Sequence, residues 1–156
     1  MQERVVVVGL GRSGTGAARL LHYQGSQVCL SESGNTPELQ ARAAALAAEG
    51  IEVKLAKPLA IASFDPLPDR VVISPGIAFN HPVLQQLRDQ GVAVVGEMEV
   101  AWHGLAEVPW IAITGTNGKT TVTSLVAHLL QQAGVDAPAC GNIGSSATEL
   151  ALARAK

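Results

Sequence analysis

Val5-Val6-Val7-Val8 is an unbroken β-branched run that breaks at Gly9, after which apolar residues recur at Ala17, Ala18, Leu20 and Leu21. The run predicts a parallel strand covered on both faces, and the spacing after it predicts a helix that Gly25 ends. Val28-Cys29-Leu30 predicts a second strand. Thr36 has the chemistry of an N-cap, with Pro37 at the first helical position and an Ala/Leu-rich helix to Gly50. Ile51 to Leu55 alternates apolar and polar and predicts a third strand. Lys57 to Asp69 holds three prolines and reads as a loop or irregular crossover. Arg70 to Ile73 and Val92 to Val95 predict two more strands, separated by a short helix from Pro82 to Gly91. Strands and helices alternating in this way form a parallel, doubly wound sheet with right-handed crossovers.

The pattern then restarts. Glu97 to Val108 reads as a connector whose acidic Glu97 and Glu99 form an exposed helix start. Trp110-Ile111-Ala112-Ile113 predicts a new buried strand, followed by a glycine-rich loop. Val122, Leu125, Val126, Leu129, Leu130 and Ala133 then share one helical face up to Gly134. A turn at Gly141-Asn142-Ile143-Gly144 precedes a helical tail from Ser145 to Lys156. The expected class is α/β: a Rossmann-like parallel-sheet domain over residues 1–96, then the start of a P-loop ATP-binding α/β domain over 97–156. A nucleotide-binding α/β domain needs more strands than the second unit contains, so the chain is expected to be the front end of a longer protein.

With 47% hydrophobic and 15% charged residues, the chain can bury a core and is not expected to be disordered. A net charge of −2 gives no reason to expect nucleic acid or an anionic membrane as partner, and 3% aromatics argue against base stacking. There is no long apolar span or signal-peptide pattern, and a cytoplasmic location is expected. Cys29 and Cys140 lack metal-ligand spacing and read as small buried residues.

Two loops carry candidate chemistry. Thr114-Gly115-Thr116-Asn117-Gly118-Lys119-Thr120-Thr121 lies between a predicted strand and helix. Unpaired amides and the helix dipole favour anions there, and Gly115 and Gly118 let the backbone curl around phosphate oxygens. Lys119 supplies a cation for the β- and γ-phosphates of ATP, and the Thr120 hydroxyl is placed to ligate Mg²⁺. The general pattern G-x-x-x-x-G-K-[ST] requires glycine at 113, where this chain has Ile113. Gly9, Gly11 and Gly14 form G-x-G-x-x-G, with Glu32 near the end of the second strand. That spacing suits a pyrophosphate-bearing ligand, with NAD and a UDP-linked substrate both open, and close helix–strand packing is the structural alternative.

Together these motifs resemble the Mur ligase family. Ile113 through Thr121 (ITGTNGKTT) is similar to the family's ATP loop, which accounts for the missing glycine. Three features resemble its D-glutamate-adding branch: Gly9 to Gly14, Ser74-Pro75-Gly76-Ile77 with His81-Pro82, and Gly141 to Gly144. The resemblance implies that Gly11, Arg12, Ser13 and Gly14 hold a UDP diphosphate and that Glu32 and Ser33 contact the uridine end. It places Gly76 along the substrate path and Asn142 on the muramoyl part. Gly115, Thr116, Asn117, Gly118, Lys119, Thr120 and Thr121 would bind ATP, with Lys119 catalytic and Thr120 on Mg²⁺. The usual residue at the position of Glu32 is aspartate. The implied reaction phosphorylates the carboxylate of UDP-N-acetylmuramoyl-L-alanine from ATP and joins it to D-glutamate, in a monomeric enzyme. Further ligands lie beyond residue 156 in the family, so this chain alone is expected to show no turnover.

Other readings are a sister ligase or folylpolyglutamate synthase relative, an NAD-dependent oxidoreductase, and a non-catalytic nucleotide-binding module. His22, His103 and His128 have no partners at ligand spacing and read as surface or core residues. His81 reads as structural, and Trp102 and Trp110 are expected to pack at the junction.

Overall fold

Alternate valines of the first run point to opposite sides of one sheet, and both sides are covered. The computed structural model describes residues 2–156. Arg4–Val8 (β1), Gln27–Ser31 (β2), Glu52–Lys54 (β3), Arg70–Ile73 (β4) and Ala93–Gly96 (β5) form one parallel sheet in the order β3-β2-β1-β4-β5. Val5 pairs with Val28 on one side of β1 and with Arg70 on the other. Val5, Val7 and Val72 join one core with Leu10, Ala17, Leu20, Leu30 and Leu46. Val8, Val71 and Ile73 join a second core with Phe64, Leu84 and Leu87.

Arg12–Tyr23 (α1) and Pro37–Ala48 (α2) cover the first face, and Pro82–Asp89 (α3) covers the second with a 3₁₀ turn at Ile61–Phe64. The starts of α2 and α3 are capped by side chains. The Thr36 side chain accepts from Leu39 N with Pro37 in the first turn, and His81 Nδ1 accepts from Val83 N before Pro82. The seat of α1 is unusually close: a Cβ on Gly14 would stand 2.0 Å from the Gly9 carbonyl oxygen.

The chain departs from expectation in four ways. Glu97–Gly104 is a helix (α4), and Glu97 at its start is 4% exposed, accepting a hydrogen bond from Thr148 Oγ1 at 3.0 Å. The predicted exposed position is therefore buried, because a hydroxyl is supplied to its carboxylate there. Residues 110–113 form no strand, and Ile111 is 63% exposed. A strand must pair its N–H and C=O groups with a neighbour, and the described residues offer that segment none. Lys119–Gln132 (α5) forms as predicted but buries no residue. Its apolar face has no sheet to lie on and instead lines a cavity of about 360 Å³ with Trp110, Ile111 and Ile113. Cys29 and Cys140 are free and only half-buried.

Ala147–Ala155 (α6) packs back on the first unit, against α1 and α4. Gly16 of α1 makes the approach possible, since a Cβ there would stand 2.5 Å from Thr148 Oγ1 and 2.8 Å from Ser146 Oγ. Trp102 and Trp110 pack with ring centroids 5.4 Å apart, as expected at the junction.

The close seat of α1 yields a prediction. Gly14→Ala forces α1 off β1 and lowers stability by about 2 kcal/mol in urea unfolding. Gly11→Ala, where a side chain meets nothing within 4 Å, stays within about 0.5 kcal/mol of the parent. Equal losses in the two variants would contradict this.

Candidate functional site

In the order β3-β2-β1-β4-β5 the chain reverses direction between β1 and β4, and the crevice beyond their carboxyl ends is where such sheets bind ligands. Three loops meet there: residues 9–14 after β1, 32–34 after β2 and 74–77 after β4. Hydrogen bonds tie them together. Gly9 N donates to Ser31 O at 2.8 Å, and Ser74 Oγ donates to Val8 O at 2.8 Å. Gly9 holds φ +105, and a Cβ on it would stand 2.6 Å from Ser74 Oγ, so this position is closed to other residues twice over.

Glu32 is the hub of the crevice. One carboxylate oxygen accepts from Leu10 N at 2.9 Å, and the other accepts from Gly34 N at 2.9 Å and Ser33 Oγ at 3.1 Å. Burial pushes the acid's pKa up, but bonds from Leu10, Gly34 and Ser33 outweigh it and hold it below the usual value. Arg42 adds a contact that was not evident from the sequence, donating to Leu10 O at 3.4 Å. It stands inside an Ala/Leu-rich helix, and no local motif marks it.

Above this frame the glycine loop is open. Gly11 precedes α1 as an N-cap residue without a side-chain cap, and a Cβ on it meets nothing within 4 Å. Arg12 is exposed and Ser13 half-buried at the first turn of α1. Gly76 is exposed in the turn closed by Ile77 N donating to Ser74 O at 3.0 Å. The crevice thus offers uncapped amides, a guanidinium and a hydroxyl, which suit a diphosphate. Gly14, by contrast, is a packing residue.

Asn142 reaches the same end of the fold by another route. It is exposed in the turn before α6, whose first turn lies against Gly16, close to the start of α1. The loop 114–121 has not been drawn into this crevice by any hydrogen bond among the described residues. It is exposed throughout, with Gly115 at φ +152 and Gly118 at φ +75 preceding α5 without a side-chain cap. Lys119 Nζ folds back to donate to Gly115 O and Thr116 O. Uncapped amides, an ammonium group and the adjacent Thr120 hydroxyl fit a nucleotide triphosphate with its cation. No three His, Cys, Asp or Glu side chains among the described residues converge as a metal site. Of this loop's side chains, the Thr120 hydroxyl is the one placed to meet such a cation.

The hub carries a pH signature. Glu32 ionises more readily folded than unfolded, so its stabilisation is present above the ordinary value near 4.5 and is lost as pH falls through its depressed folded value. Glu32→Gln therefore lowers stability at pH 7 by on the order of 1 kcal/mol, after allowance for partial exposure, and flattens the acid limb of the stability curve. Urea unfolding between about pH 3 and 7 measures both. An acid limb identical in the two proteins would contradict the assignment.

The match to known proteins follows the same architecture. Residues 3–96 match the description "Mur ligase MurD-like, N-terminal domain", and residues 113–154 match "Mur ligase middle domain". The UDP-N-acetylmuramoylalanine–D-glutamate ligase of Prochlorococcus marinus strain MIT 9313 is 57% identical over 152 residues, covering 96% of this chain and 33% of that protein. The ligase of the same name from Synechococcus sp. strain CC9902 is 55% identical over 150 residues, covering 94% and 32%. A solved murein peptide ligase from Psychrobacter arcticus 273-4 superposes with a TM-score of 0.56 at 25% identity, covering 86% of this chain and 27% of its own. The chain thus spans about a third of the length of the curated relatives it matches. With both segments matched in order along it, the chain belongs to the Mur ligase family.

Proposed function

We propose that this chain is the substrate- and nucleotide-binding portion of an ATP-dependent ligase that adds D-glutamate to UDP-N-acetylmuramoyl-L-alanine in peptidoglycan synthesis. The observation that carries the reading is the convergence of loops 9–14, 32–34 and 74–77 on one crevice that is open over Gly11. The names of the relatives at 55–57% identity support the choice of substrates.

In this reading the units divide near Gly96, with residues 1–96 binding the UDP substrate and 97–156 opening the ATP-binding unit. Amides of Gly11 to Gly14, with Arg12 and Ser13, hold the diphosphate. Glu32 and Ser33 meet the uridine end, Gly76 lines the path of the substrate, and Asn142 contacts the muramoyl sugar. Gly115 to Thr121 wrap the ATP phosphates. Lys119 leaves the Gly115 and Thr116 carbonyls to neutralise charge on the transferring phosphoryl group. Thr120 would hold Mg²⁺, which would supply further charge neutralisation to the phosphates when bound. The γ-phosphate passes to the substrate carboxylate and ADP leaves; the D-glutamate amine then displaces phosphate from the acyl phosphate to form the amide. What the chain contributes is placement and charge, which dominate phosphoryl transfer. No helix among the described residues is long and apolar enough to cross a membrane. The protein is read as a cytoplasmic monomer, with no nucleic acid or membrane as partner.

Calorimetry tests this. The chain is expected to bind UDP-N-acetylmuramoyl-L-alanine, with affinity reduced about tenfold by Arg12→Ala, a loss of one charge-assisted contact. ATP binding should fall at least as far in Lys119→Ala, with UDP-substrate binding unchanged. Binding of NAD⁺ without binding of the UDP substrate would overturn the proposal.

A further inference from the structure

Glu97 opens α4 at the end of the sheet and yet is buried, which an acid at an exposed helix start need not be. Its Oε1 accepts from Thr148 Oγ1 at 3.0 Å. Thr148 is the second residue of α6. The carboxylate therefore reaches across 51 residues of sequence to occupy the amide end of another helix, where negative charge is favoured. The contact continues in a line. Thr148 Oγ1 lies 3.1 Å from Ser146 Oγ, and Ser146 and Glu149 cap each other, with Ser146 N donating to Glu149 Oε2 at 2.8 Å. Ser145 O in turn accepts from Gly141 N at 3.2 Å and closes the turn that carries Asn142. The charged and titratable neighbours of Glu97 are Glu149 and the Cys140 thiol. Among the described residues no cation balances it, and hydrogen bonds stabilise it where it lies.

We propose that Glu97 is a positioning residue, which fixes the start of α6 and so holds Asn142 at the crevice for the non-nucleotide part of the UDP-linked substrate. This rests on the reading that Asn142 meets the muramoyl group. Gly16 is the complementary feature, because only its bare Cα lets Ser146 and Thr148 sit against α1. Together Glu97 and Gly16 register α6 against the crevice, and neither touches the ligand.

The test compares UDP with UDP-N-acetylmuramoyl-L-alanine by calorimetry on the same chain. Glu97→Ala is expected to weaken the full substrate about tenfold while UDP, held by loops 9–14, 32–34 and 74–77, changes less than about twofold. Glu97→Gln keeps an acceptor oxygen at the same reach and should restore binding to within about threefold of the parent. Thr148→Val keeps the volume and loses the hydroxyl; it should show the same selective loss at smaller size and serves if Glu97→Ala does not fold. Amide exchange in Glu97→Ala should quicken at residues 141–144 and remain unchanged in β1 and β4. Equal losses for both ligands, or no loss for either, would overturn the proposal. A parent chain that does not distinguish the two ligands would sink the assignment of Asn142, and this inference with it. A parent that distinguishes them, with Glu97→Ala doing so equally well, would sink this inference alone.

Discussion

The structure depends on one close contact: the Gly9 carbonyl oxygen occupies the space that a side chain on Gly14 would need. That contact seats α1 directly over the carboxyl end of β1. The first turn of α1 then points its free amides over the crevice instead of into the sheet. It also sets the height of Gly16, one turn further along, against which Ser146 and Thr148 lie. Moving α1 outward would therefore dislodge both the glycine loop after β1 and the helix that packs against Gly16. The glycines of the loop do different work. Gly9 and Gly14 are required by backbone conformation and packing, whereas Gly11 stands over open space. In a motif that reads as uniform, only Gly11 leaves room for a ligand.

The two halves of the chain differ in how their apolar residues are satisfied. In the first, Val5 to Val8 feed two cores and are paired on both sides. In the second, Ile111, Leu125 and Leu129 stay more than half exposed, and the segment before loop 114–121 has no strand partner among the described residues. Helix α5 still forms, because its backbone hydrogen bonds are internal, whereas a strand takes its bonds from a neighbour. The same sequence pattern thus gives a helix without tertiary support and fails to give a strand.

This difference marks what was legible in the sequence. Periodicity, caps and the β-branched runs foretold all five strands of the sheet and the helices between them, since those signals are local and each was met by a partner. Thr36 with Pro37 and Gly25 acted as their chemistry requires. The strand at 110–113 was misread because its apolar run says that it seeks burial and not whether anything buries it. Glu97 was misread for the converse reason: acids at helix starts are normally solvated, and only the fold brings Thr148 across to it. Arg42 was invisible because its acceptor is a backbone carbonyl 32 residues away. The loops after β1, β2 and β4 were each visible singly. Their meeting at one edge follows from strand order, which no single motif encodes.

In the proposed function, these three loops form one diphosphate- and uridine-binding crevice. Amide NMR of the chain titrated with UDP tests it most directly, because it reports each loop separately. Saturable shifts are expected at Gly11, Arg12 and Ser13, together with Ser33 and Gly76, at one common affinity, and none in loop 114–121. Shifts confined to loop 114–121, or different affinities at the three loops, would contradict it.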